Sequence, residues 1–255
     1  MFSVVSVLSL SLAIYSCKKI NGTETKTALE NQQSPTEEKF EKIKSSTADL
    51  HNDFLDDVYN NSMFDVHKPL TESTLKKLQD YSREYFSQKG YNQNAINSEV
   101  NYFNNYNVNS LKGHSEKSLS VDTLISENIS ILLDNVNNLF NQNLEETVFI
   151  IKINELFDKE MKSELSEVEK SDVARVCGVA IASYKYWTIN LEKWTGISNS
   201  SKKLKSNEPP RNYRREKVYS LVAADMTGAG CGSLLPGAGT AAGAALASAL
   251  CAWSW

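Results

Sequence analysis

An all-α protein, an irregular helical bundle closed by a glycine-rich helical hairpin, is what this sequence predicts. Apolar residues through most of the chain return every third or fourth position, the repeat of one helix face. Alternating, strand-like segments are scarce; 147–153 is where a strand competes, and its neighbours favour helix. The segment 221–255, LVAADMTGAGCGSLLPGAGTAAGAALASALCAWSW, has no charge after Asp225 and sets small residues four apart: Ala224, Gly228, Gly232, then Gly239, Gly243, Ala247. Positions four apart stack on one helix face, so these form a ridge that lets a second helix approach backbone to backbone. Pro236-Gly237 falls between the two runs and breaks them into a hairpin.

Taken in order, the first helix is expected from Thr36. Phe40, Ile43, Thr47, Leu50, Phe54 and Val58 draw one stripe, and Glu37 and Glu38 stand in the first turn, where the helix dipole favours acids. A second helix is expected over 71–89, on Leu75, Leu78, Tyr81 and Tyr85, ending at Gly90. Residues 91–118 are dense in Asn and Tyr and read as a loop, with a short helix around 95–103 as the alternative. Helicity resumes near Ser120 with Ile125, Ile129, Leu132, Val136 and Phe140, then with Phe149, Ile153, Phe157, Met161 and Leu165. A further helix, capped by Ser171-Asp172 and closed by Gly196, carries Val173, Val176, Cys177, Ala180, Tyr184, Trp187, Leu191 and Trp194. Its stripe is the strongest, and it is the expected central core helix. Residues 197–217 hold Ser, Asn, Pro209-Pro210 and the seven basic residues Lys202, Lys203, Lys205, Arg211, Arg214, Arg215 and Lys217, and read as a basic linker.

At 255 residues, 41% hydrophobic and 23% charged, the chain has enough apolar surface to build a core. A net charge of −4 argues neither for nor against nucleic acid, and no nucleic-acid partner is expected. Four cysteines, at 17, 177, 231 and 251, include no CxxC pair and no metal-ligand spacing, so no zinc site or other cofactor is expected. With Cys17 otherwise used, Cys177 is expected buried and reduced, and Cys231 and Cys251 too far apart along the hairpin to bridge.

Residues 1–16, MFSVVSVLSLSLAIYS, are uncharged, apolar and shorter than the ~20 residues of a spanning helix. They end in Ser16 directly before Cys17, with Ile14 three positions before the cysteine and Lys18-Lys19 after it. This resembles the signal peptide of a bacterial lipoprotein, although Tyr15 is bulkier than usual and the start lacks Lys or Arg. The resemblance implies cleavage before Cys17 and lipid on its sulfur; a plain signal peptide or a buried apolar segment is the alternative. The expected organisation is a signal peptide at 1–16, a lipid-anchored tether at 17–35, a helical body at 36–196, the basic linker at 197–220 and the hairpin at 221–255.

The best polar cluster is His51, Asn52, Asp53, Asp56 and Asp57. A histidine among carboxylates can gather a metal or work as acid and base. It can equally be a half-buried histidine bonded to a neighbour beside a solvated acidic face. No partner histidine stands four residues on, and no nucleophile elbow, phosphate loop, HExxH or dinucleotide fingerprint is present. The early HNxxLDxV (His51, Asn52, Leu55, Asp56, Val58) and the late AADxxGAGxG (223–232) resemble motifs paired in a group of bacterial secreted proteins and lipoproteins. That group has no assigned activity, so nothing catalytic follows. The tail is also similar to glycine-zipper segments of bacteriocin-like peptides.

Three readings of the tail stand: a membrane span over 236–255, a hairpin inserting on demand, or the innermost hairpin of the body packed on 173–194. The packed reading asks least of the chain. The expected function is therefore a non-enzymatic lipoprotein of the bacterial cell envelope that binds or scaffolds a partner, held to the membrane by its lipid. The alternative is a secreted antagonist whose hairpin inserts into target membranes.

Overall fold

The computed structural model describes residues 35–102, 126–142, 144–196, 213–232 and 239–253. Their helices are α1 Pro35–Asn60, α2 Glu72–Gln88, α3 Gln93–Tyr102, α4 Glu127–Asn141, α5 Glu146–Met161, α6 Glu167–Thr195, α7 Tyr213–Gly232 and α8 Gly239–Trp253. No strand occurs among the described residues, and the packing is that of an all-α bundle. The chain divides into two units, Met1–Lys39 and Phe40–Trp255. Of the first, only the opening turn of α1 is described, with Glu37 and Glu38 exposed in it. The Cys17 anchor, the signal, residues 17–34 of the tether and the Pro236-Gly237 break lie outside the described residues.

In the second unit α6 is the central element. At 29 residues it runs about 43 Å. Val173, Val176, Cys177, Ala180, Tyr184, Trp187, Leu191 and Trp194 are all buried, so its stripe faces the core along its length. The helix begins at Ser166, however, not at Ser171-Asp172. Ser166 and Glu169 form a reciprocal capping box, which satisfies two otherwise orphaned N–H groups. Ser171 then lies inside the helix, its hydroxyl donating to the Glu167 carbonyl. Gly196 ends the helix in the left-handed conformation at φ 68°.

Helix α1 meets α6 backbone to backbone. A Cβ on Gly178 would stand 2.2 Å from the Lys44 carbonyl oxygen, so no other residue fits without displacing α1. Phe40, Leu50, Phe54, Leu55 and Val58 fill the core on this side. Helix α2 is capped by the Thr71 hydroxyl and followed by Gly90 at φ 86°, as its signals imply. It packs Phe86 and Tyr85 around Phe54, with ring centroids 5.1 Å apart in each pair.

The Asn-rich stretch is not all loop. Helix α3 forms because Ile96 and Val100, four apart, are both wholly buried, and that burial outweighs poor helix propensity. Helix α4 starts from the Ser126 cap, and α5 buries Phe149, Ile153 and Phe157.

Helix α7 begins at Tyr213, inside the stretch read as linker to 220. Its first turns are anchored by Arg214, which donates to the Thr188 carbonyl (2.5 Å), and by Tyr219, which donates to the Leu144 carbonyl (2.8 Å). Val218 and Tyr219 are buried. Beyond them α7 pairs with α8, and both pack on α6. A Cβ on Gly228 would meet the Gly243 carbonyl oxygen at 2.2 Å, so the two helices touch through bare backbone. Every residue of α8 from Thr240 to Leu250 is buried, Ala247 included, whereas Ala224 of α7 is half-exposed. Trp253 donates from Nε1 to the Lys68 carbonyl (2.8 Å) and meets Phe64 edge-on. Among the described residues no helix is long and apolar enough to cross a membrane.

Candidate functional site

The buried polar centre of the bundle joins α1, α6 and α7. Asp225 is the single charged residue of 221–255, and its side chain is wholly buried. Its Oδ2 accepts the Ser183 hydroxyl and the Trp187 indole N–H (3.0 Å). Its Oδ1 lies 3.1 Å from Nε2 of His51, also wholly buried. That contact has the reach of an ion pair without the alignment of a hydrogen bond. On the other side of the ring, Nδ1 lies 2.9 Å from Oδ1 of Asn52.

Helical spacing explains how these groups converge. Ser183 and Trp187 are four apart on the inward face of α6, and Asp225 sits among Leu221, Val222, Met226 and Ala229 on the inward face of α7. His51 follows Leu50 and precedes Phe54 and Leu55, so it enters the core with the α1 stripe instead of bordering it half-buried.

With oxygen at both ring nitrogens, the imidazolium, which donates from each, is the form both neighbours accept. Burial alone would lower the His51 pKa. The Asp225 charge and the close contacts of the ring nitrogens with Asp225 and Asn52 outweigh it, and the value stands above 6.5. The carboxylate and the ring neutralise each other inside the core, which is the condition for charges to stay there.

The remaining acids serve as anchors for tyrosines. Asp56, itself exposed, accepts the Tyr186 hydroxyl at 3.1 Å, and Tyr186 in turn accepts the Trp194 indole N–H at 3.1 Å. Burial first, then the Asp56 and Asp225 charges, push the Tyr186 phenol upward. Asp57 accepts the Tyr81 hydroxyl. Asp53 is exposed, and its charge adds to burial in pushing Tyr85 up to about 12.

His51, Asn52 and Asp56 thus lie on one side of α1, but in two circuits. His51 and Asn52 belong to the Asp225 centre, while Asp56 belongs to Tyr186 and Trp194. Among the described residues no group of three or more His, Cys, Asp or Glu side chains is arranged to hold a metal ion. The residues that complete the centre, Asp225, Ser183 and Trp187, were not singled out as site residues by sequence. For Asp225 the signal was present, because a lone charge in a long charge-free segment must either reach solvent or find a partner. Ser183 carried no comparable signal.

The two short motifs, HNxxLDxV and AADxxGAGxG, therefore meet in space. His51 of the first faces Asp225 of the second, and Gly228 of the second gives α8 its approach. Chemically, the centre holds the charge pair of His51 and Asp225 and three neutral hydrogen-bonding groups, Asn52, Ser183 and Trp187, of which Asn52 is partly exposed, and it ties three helices together. No protein-family model, no curated protein and no solved structure matches this chain.

Proposed function

We propose that this chain is a non-enzymatic lipoprotein of the bacterial cell envelope, whose helical body binds or scaffolds a partner and whose Cys17 carries the lipid. The observation behind the non-enzymatic part is the burial of His51 and Asp225, both at 0% exposure. This acid–base pair is spent on joining three helices, and neither side chain meets solvent. The cell-envelope part rests on the sequence at 1–19, an uncharged apolar run ending at Ser16-Cys17. In this reading the polar residues after Cys17 act as a spacer, the diacylglycerol on the Cys17 sulfur supplies two acyl chains where one would anchor only marginally, and acylation of the new amino terminus adds a third.

The direct test is Cys17→Ser. It should move the protein from the detergent phase to the aqueous phase and block processing of the precursor. An alkyne fatty-acid label that persists in the variant would refute lipid attachment at this residue.

A second reading, an antagonist whose hairpin enters target membranes, draws on α8. That helix has no charge and no polar face, so it needs an apolar environment that either the body or a bilayer can supply. Leakage of dye from anionic vesicles exposed to the purified protein would favour it, and intact vesicles would favour the scaffold.

A further inference from the structure

The hairpin of α7 and α8 is held in the bundle mainly by small apolar side chains and by close backbone approach. Polar ties secure its ends, Arg214 and Tyr219 at the start of α7 and Trp253 at the end of α8. In the buried middle of α7, Asp225 is a further tie. We propose that the His51–Asp225 pair is a proton-operated latch, which keeps the hairpin docked while the imidazole is charged and loosens it when the ring loses its proton.

The groups around the pair decide how it responds. From α1 it meets Asn52, which is neutral. From α6 it meets Ser183 and Trp187, also neutral, and the Tyr186 phenol feels the Asp225 charge. From α8 the Cys251 thiol feels that charge too, together with Lys217 from the outer part of α7. Burial pushes Cys251 up to about 12 and moves Tyr186 upward as well, so both stay neutral in mildly alkaline solution. His51 is then the group in contact with Asp225 that can supply a positive charge, and the one that changes state around neutral pH.

Loss of the ring proton leaves one nitrogen as a bare lone pair facing oxygen. It also leaves the Asp225 carboxylate buried with two hydrogen-bond donors and no counter-charge, a costly arrangement in a dry core. Undocking α7 returns the carboxylate to water. The sign follows from the direction of the His51 shift. Its folded-state value lies above the ordinary 6.5, so the pair contributes fully below that pH and the contribution is lost as pH rises through the folded value. Between the two values, opening of any segment that frees the pair becomes about tenfold easier per pH unit, then levels off.

Hydrogen–deuterium exchange of the full chain, corrected for the intrinsic effect of pH, tests this. Peptides covering 213–232 and 240–250 should lose protection about tenfold per pH unit from 6.5 up to the folded-state value of His51 and then level off, ahead of peptides covering 75–86 in α2. Asp225→Asn and His51→Gln should each remove that dependence. Hairpin protection that is flat with pH in the wild-type protein would overturn the latch. So would parallel loss in α2 and the hairpin, or an unchanged slope in a folded variant. Should neither variant fold, the wild-type comparison of hairpin with α2 decides by itself.

Discussion

At the residue scale the bundle depends on a few groups whose replacement leaves a buried charge short of a partner. Ser183→Ala removes one of the two donors to Asp225 Oδ2 and changes little volume. A hydrogen bond to a charged group is worth about 1.5–3 kcal/mol, so a loss of that order should appear in urea unfolding at pH 6. A loss under about 0.5 kcal/mol would mean the hydroxyl is not used. Of this centre, the sequence made His51 and Asn52 legible as neighbours of the apolar stripe. It could not show that Asp225, far along the chain, would supply the counter-charge, because that pairing depends on how α1 and α7 cross α6. The acids Asp53, Asp56 and Asp57 had the opposite problem. Their density suggested a site, and their destinations are tyrosine hydroxyls and solvent.

At the element scale two helix crossings are set by glycine. Gly178 and Gly228 sit within helices, where Ala would ordinarily gain about 1 kcal/mol from propensity. Each instead faces a carbonyl oxygen, of Lys44 or Gly243, at 2.2 Å from where a Cβ would lie. Gly178→Ala and Gly228→Ala should therefore destabilise, by about 1–3 kcal/mol, because the partner helix must move. A raised unfolding midpoint in either variant would show that the crossing relaxes freely. Ser166→Ala gives a reference from a helix end, where loss of the capping box should cost about 1 kcal/mol. The sequence announced the strong helices through their stripes, but it misplaced the start of α6, since Ser171 and Ser166 offer the same local chemistry and only Ser166 has Glu169 three residues on. It also favoured a loop where α3 stands, because propensity carries no information about what covers Ile96 and Val100.

At the scale of the whole molecule, α1, α6, α7 and α8 share one core, and its thiols can report on it. Cys177 is a free, wholly buried thiol, and burial pushes it, like Cys251, up to about 12. A thiolate-selective reagent at pH 8 should react with Cys177 at a rate set by unfolding, not by chemistry, and the rate should climb steeply with urea. Labelling of Cys177 as fast as a small thiol would show that this core opens locally.

The unbroken burial of α8 from Thr240 to Leu250 also bears on how the protein is made. Helix α8 has no face suited to water, and it is synthesised after α3, α6 and α7, the helices that enclose it. Until α8 arrives, the faces of α3, α6 and α7 that pack on it have nothing to cover them. Completion of the core must therefore wait for the end of this segment, and its long-range contacts make that closure slow. Nascent chains stopped before Gly239 should be held by chaperones or degraded, even though α1 to α7 are already complete.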